Sequence, residues 1–172
     1  MTEYKNDKHR TLVVASSLTG NTMIVAHGLA DTFSSHRVYR PTDDVNLDDY
    51  DTVLLGFWCD KGDAPLEIYE FAEKLNGKRV ACFATMGGNA KDPKALEWMQ
   101  KTSQAVVAKG KDNTLLTTFI CRGRIDPALF ERMTQMMGGT VTPEREARRK
   151  ESETHPDRMD VLAAIEALAP VL

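Results

Sequence analysis

The sequence is poor in the features that mark several large classes of protein. Its three cysteines, Cys59, Cys82 and Cys121, form no CxxC pair and are odd in number, so neither a disulfide framework nor a cysteine zinc site is expected. The four histidines stand apart, with no HExxH and no Cys/His cluster, and no metal site is read. The longest apolar runs, such as Val53 to Trp58, fall far short of the roughly 20 residues that span a bilayer. The apolar stretch Leu12 to Ala15 is too short for the roughly 7–15 residues of a signal peptide's apolar region. Excess positive charge is missing as well: the formal net charge is −3, which disfavours nucleic acid as a partner. The expectation is a cytoplasmic chain without membrane insertion.

What remains is ordinary for a globular protein: 172 residues, 42% of them hydrophobic, enough to bury one core. We read residues 1–172 as one domain, with 1–10 a flexible lead. Apolar β-rich stretches alternate with helical periods. Strands are predicted at Thr11 to Ser16, His36 to Arg40, Thr52 to Trp58, Val80 to Thr85 and Leu115 to Cys121. Thr52 to Trp58 is apolar on both parities, as a central parallel strand must be.

Between the strands lie a helix from Thr22 with Val25, Ala26, Leu29, Ala30 and Phe33 inward, and one capped by Asp63 with Ile68, Tyr69, Ala72 and Leu75 inward. A third is opened by Asp92-Pro93, with Leu96, Met99, Val106 and Val107 inward. Three further starts follow: Asp126-Pro127, Thr142-Pro143 and Pro156-Asp157. The first predicts a helix burying Leu129, Phe130, Met133, Met136 and Met137, the second a polar helix, and the third a helix burying Val161, Leu162, Ile165 and Leu168. Crossovers of this length join parallel strands by right-handed βαβ units. The fold class is therefore α/β, an open three-layer α/β/α doubly wound sheet of five parallel strands.

The turn after the first strand carries the chemistry. Ser16, Ser17, Leu18, Thr19, Gly20, Asn21 and Thr22 lead into the first helix, where an open α/β sheet offers an anion site. Hydroxyls and an amide supply donors, and Gly20 lets a ligand approach the backbone. No Lys or Arg lies between Ser16 and Ser35. The helix dipole adds only about 0.3–1 kcal/mol at an exposed site. Hydrogen bonds to a charged group, about 1.5–3 kcal/mol each, must then carry a phosphate. The turn matches neither GxxxxGK[ST] nor GxGxxG.

Ser17-Leu18-Thr19-Gly20-Asn21-Thr22 resembles the S/T-x-T-G-N-T phosphate loop of flavodoxins. The resemblance extends through Asp49-Tyr50-Asp51 and the third strand into Phe57-Trp58-Cys59-Asp60-Lys61-Gly62, and covers about Thr11 to Cys121. It implies strand order 2-1-3-4-5 and FMN as the cofactor, with its phosphate on the first loop. It makes Trp58 the candidate for stacking on the ring, with Trp98 read as packing. It lets Gly62 offer a backbone group to the ring, Asp60 and Lys61 push the reduced flavin's charge in opposite senses, and Thr85, Met86, Gly87, Gly88 and Asn89 meet the pyrimidine edge. Cys59 reads as a small packing residue. The tyrosine that often flanks the outer ring face is missing, and Met86 is the candidate substitute. Cys121-Arg122-Gly123-Arg124 is a basic segment at a carboxyl edge that could approach the flavin site, and it is read as a solvated turn. Arg145, Arg148, Arg149 and Lys150 could form a docking helix, and the charges of 144–151 are read as a solvated face. Residues 126–155 look like an addition before the last helix.

The overall pattern is similar to small flavodoxin-family proteins encoded beside bilin-reducing enzymes. The implied function is electron transfer between a reductase and a partner redox enzyme, a bilin reductase among the candidate partners. The alternatives are an NAD(P)H-dependent FMN or quinone reductase of the same fold, and a flavin-free interaction module. No catalytic residue is assigned.

Overall fold

The computed structural model describes residues 10–33 and 37–172. The flexible lead read at 1–10 falls outside it except for Arg10, as does His36. Five parallel strands form one sheet: β1 (Thr11–Ala15), β2 (Val38–Tyr39), β3 (Thr52–Trp58), β4 (Arg79–Met86) and β5 (Thr114–Arg122), in the order β2-β1-β3-β4-β5. This is the expected topology. The expected second strand contracts to two residues at the edge, where little pairing is available.

Successive residues of β1 face opposite sides of the sheet. Leu12 and Val14 join Val53, Leu55, Phe57 and Cys82 under α2 (Leu66–Ala72) and α3 (Pro93–Val107). Val13 and Ala15 join Leu54, Ala81 and Phe83 under α1 (Asn21–Phe33) and α6 (Arg158–Leu168). Both faces of β3 are buried, which explains its unbroken apolar run. Gly28 makes the close packing of α1 on α6 possible: a Cβ there would lie 2.3 Å from Val161 Cγ1.

Several expectations need correction. Leu96 and Leu162 are exposed, because α3 and α6 each turn only part of their apolar stripe to the sheet. Asp63 does not cap α2; its carboxylate accepts from Ala64 N–H (2.7 Å) and from the Tyr69 hydroxyl (2.5 Å), and Pro65 precedes the helix. The helix predicted from Asp126 forms as α4 (Pro127–Met136), capped by Asp126 as expected. Its methionines are not inward: Met133, Met136 and Met137 are all exposed, Met136 by 86%. The reason is position. α4 and α5 (Pro143–Ser152) follow β5 beyond the sheet's carboxyl edge, where no strand face receives them. Only Thr134 in α4 and Ser152 in α5 are buried.

Candidate functional site

The β1–α1 turn sits at the carboxyl edge of the sheet, between β1 and β3. The chain runs outward to β2 on one side and to β4 on the other. Such a switch of direction leaves a crevice beyond the strand ends. Gly20 has φ +97°, which suits a residue without Cβ, and its N–H donates to Ser17 Oγ (3.0 Å). The carbonyl of Gly20 accepts from Ile24 N–H, so α1 starts here and its first-turn N–H groups point toward the crevice.

Part of the turn's polarity is already engaged. Asn21 Nδ2 donates to Arg124 O (2.9 Å) and to Thr19 Oγ1 (3.4 Å). Thr22 and Thr85 share a buried hydroxyl pair at 2.9 Å. Ser16 is buried, and its hydroxyl donates to the Glu67 carboxylate on α2.

A cavity of about 290 Å³ opens on this turn. Ser17, Leu18, Thr19, Asn21 and Thr22 line it from the turn. Trp58 and Cys59 line it from the end of β3, and Thr85, Met86 and Gly87 from the end of β4. These ten residues, drawn from three segments far apart in sequence, are brought together. The other cofactor candidates named from the sequence, Ser16, Gly20, Phe57, Asp60, Lys61, Gly62, Gly88 and Asn89, do not line it. Phe57 lies in the core, edge-on to Trp98 with ring centroids 6.2 Å apart.

Asp60 to Asp63 close a tight turn, with Asp60 N–H to Asp63 O at 2.7 Å and the reverse bond at 3.0 Å. Lys61 (φ 50°) and Gly62 (φ 82°) take its two central positions. Trp98 Nε1 donates to Gly62 O (2.8 Å), so Trp98 anchors this turn as well as packing on Phe57. Gly88 O accepts from Arg122 Nε (3.0 Å), and Asn89 Oδ1 from Lys91 N–H (3.1 Å).

The sequence reading left a whole wall of the cavity out of the site. Arg124, Ile125 and Asp126 line it after β5, Leu129, Phe130 and Met133 from α4, and Arg145 and Arg148 from α5. The segment read as a solvated turn instead folds back: Cys121 and Gly123 are buried, and Gly123 N–H donates to Met86 O (2.8 Å). Close approach ties it to both neighbouring loops. A Cβ on Gly123 would lie 2.6 Å from Asn21 Nδ2, and one on Gly87 would lie 2.8 Å from Ile125 Cγ1. A turn with no cation of its own thus faces guanidinium groups from residues more than 100 positions away. The i, i+3 spacing of Arg145 and Arg148 on one side of a polar helix was the available signal.

A match to the flavodoxin-domain model over residues 12–169 covers almost the whole chain. The chain belongs to the flavodoxin family. The flavodoxin-like domain-containing protein BilS of Clostridioides difficile is 30% identical over 166 residues, covering 90% of this flavodoxin and 92% of the relative. Two solved structures share the fold at low identity. The Trp repressor binding protein from Bacillus subtilis aligns with TM-score 0.52 at 9% identity, covering 87% of this chain and 98% of that one. A flavoprotein in complex with FMN from Lactobacillus acidophilus aligns with TM-score 0.50 at 11% identity, covering 65% of this chain and 93% of that one. No helix among the described residues is long and apolar enough to cross a membrane.

Little in the cavity is suited to acid–base catalysis. Burial, ahead of the nearby Asp60 and Asp63 charges, pushes the Cys59 thiol up, so it is a poor nucleophile. Asp126 spends a carboxylate oxygen on Leu129 N–H (2.9 Å). The remaining ionisable lining groups are the three arginines, whose guanidinium groups only donate hydrogen bonds.

Proposed function

We propose that this flavodoxin binds one FMN in the cavity and passes electrons between a donor reductase and an acceptor enzyme. The observation that carries the reading is the convergence of the Ser17–Thr22 turn, Trp58 and Met86 on one cavity. The fit is chemical as well as spatial. Hydroxyl and N–H donors at a helix start suit a phosphate, and an indole suits stacking on a flat heterocycle. The buried Arg145 Nη1, which has no hydrogen-bond partner, suits an anionic ligand. The relative with an FMN complex supports the same choice of cofactor.

In this reading Ser17, Leu18, Thr19, Asn21 and Thr22 hold the phosphate, Trp58 packs on the ring, and Thr85, Met86 and Gly87 bound its pyrimidine edge. FMN, when bound, supplies the redox chemistry. The chain's part is to bind, orient and shield it. The similarity to BilS keeps a bilin reductase among the candidate acceptors.

An anaerobic reductive titration of the purified chain mixed with FMN, followed by absorbance, tests this. Saturable binding of one FMN, reduction of the bound flavin and slow NAD(P)H oxidation with a quinone are expected. Absence of FMN binding overturns the cofactor; rapid steady-state turnover with NAD(P)H and a quinone overturns the carrier in favour of a reductase.

A further inference from the structure

We propose that Arg145, with Arg148 beside it, is a cationic clamp on the FMN phosphate, supplied from a second wall of the cavity by the segment between β5 and α6. This rests on the FMN reading above and deepens it.

Four observations converge on Arg145. Its Nη1 is buried without a partner, and native structures seldom leave such a donor unmatched unless a ligand, ion or water meets it. The acidic residues that would otherwise neutralise α5 are mostly engaged elsewhere. Arg149 holds Glu146 at 2.7 Å and Glu153 at 2.6 Å, and Arg122 holds Glu151 at 2.9 Å. Among the described residues, Arg124, Arg145 and Arg148 form no ion pair. The Arg145 guanidinium carbon lies over the Phe130 ring, 4.8 Å from its centroid, a contact that favours holding the side chain against this wall of the cavity. Finally, the cavity's charges are unbalanced: three guanidinium groups face one carboxylate, Asp126. A phosphate monoester carries about −1.5 to −2 at pH 7, which matches that surplus.

The volume decides between one ligand and two. At about 290 Å³ the cavity lies just under the range for single ligands, about 300–1,000 Å³, and has no room for a second. The anion that meets Arg145 is thus part of the ligand that occupies the β1–α1 turn. That turn has already committed Asn21 Nδ2 and the Thr22–Thr85 pair internally. Guanidinium forks are the side chains best suited to make up the remaining contacts to a phosphate.

The test compares FMN with riboflavin, which has the same ring and no phosphate. The full chain and the variants Arg145→Gln, Arg145→Lys and Arg148→Gln are titrated with each flavin by fluorescence quenching, at low and high salt. Arg145→Gln is expected to weaken FMN about ten- to a hundredfold, the loss of a charged hydrogen bond, and to leave riboflavin unchanged. Arg145→Lys should lose less, Arg148→Gln should flatten the salt dependence of FMN binding, and circular dichroism should show each variant folded. An unchanged preference for FMN over riboflavin in both glutamine variants overturns the clamp while FMN binding stands. Equal loss of both flavins also overturns it, since the residue then acts on the ring or the fold. If the unmodified chain binds neither flavin, the cofactor reading and the clamp fall together.

Discussion

Thr22 and Thr85 show how the site is tied to the core. Both are essentially fully buried, and their hydroxyls have each other at 2.9 Å. Converting Thr22 to Val preserves shape but strands the Thr85 hydroxyl, a cost of about 1–3 kcal/mol. Thr22→Val should therefore lower the urea midpoint, and the Thr22→Val/Thr85→Val double variant should be more stable than the sum of the singles, because neither hydroxyl is then left alone. Strict additivity in urea melts would show that the pair is not coupled. Gly56 is constrained in another way: a Cβ there would stand 2.3 Å from Phe83 Cζ, inside the core beneath α1 and α6. At this scale much was legible. The turn's polar residues were identifiable by type and order. That Asn21 bonds the backbone of Arg124, 103 residues away, was not.

Among the elements, α6 closes the layer beside α1 and depends on its start. Asp157 Oδ1 accepts from Asp160 N–H (2.9 Å) and Asp160 Oδ2 from Asp157 N–H (2.8 Å), a reciprocal cap. The backbone N–H of Asp160, aided by His155, holds the Asp157 carboxyl below its ordinary 3.8, although partial burial opposes the shift. A carboxyl depressed in the folded state stabilises the protein above its unfolded pKa, and that contribution disappears as pH falls through the folded value. Asp157→Ala should cost about 0.5–2 kcal/mol at neutral pH in thermal or urea melts. Asp157→Asn should keep most of the cap and lose the part of the acid dependence that lies below pH 3.8. An unchanged acid limb in Asp157→Asn would place that dependence on other carboxyls.

α4 carries the converse lesson. Its periodicity announced a helix correctly, but its apolar spacing suggested burial against a sheet. Periodicity reports that one face is apolar, not what that face meets. Here Leu129, Phe130 and Met133 turn to the cavity, while Met136 and Met137 face outward.

For the molecule as a whole, the sheet divides the thiols by environment. Cys82 and Cys121 are buried, and desolvation pushes both up to about 12, with the Asp160 and Asp157 charges adding to Cys121. Cys59 is half-buried at the cavity, and all three are free. An aromatic disulfide reagent at pH 8 should therefore modify Cys59 alone, and slowly, in the native protein, with all three reacting in denaturant. Bound FMN should slow Cys59 further. Rapid native labelling of Cys82 or Cys121 would mean that the sheet opens far more readily than its packing implies.

The sequence by itself determined the strand and helix alternation, and with it the parallel sheet. Residue period and cap chemistry are local properties, and crossover length leaves few ways to connect parallel strands. It also determined the donors of the β1–α1 turn, because those residues are contiguous. Only the tertiary structure decided the cavity's electrostatics. Arg124, Arg145 and Arg148 meet Ser17 to Thr22 because the chain after β5 folds back across the strand ends. Charge acts through space, whereas a sequence displays only distance along the chain.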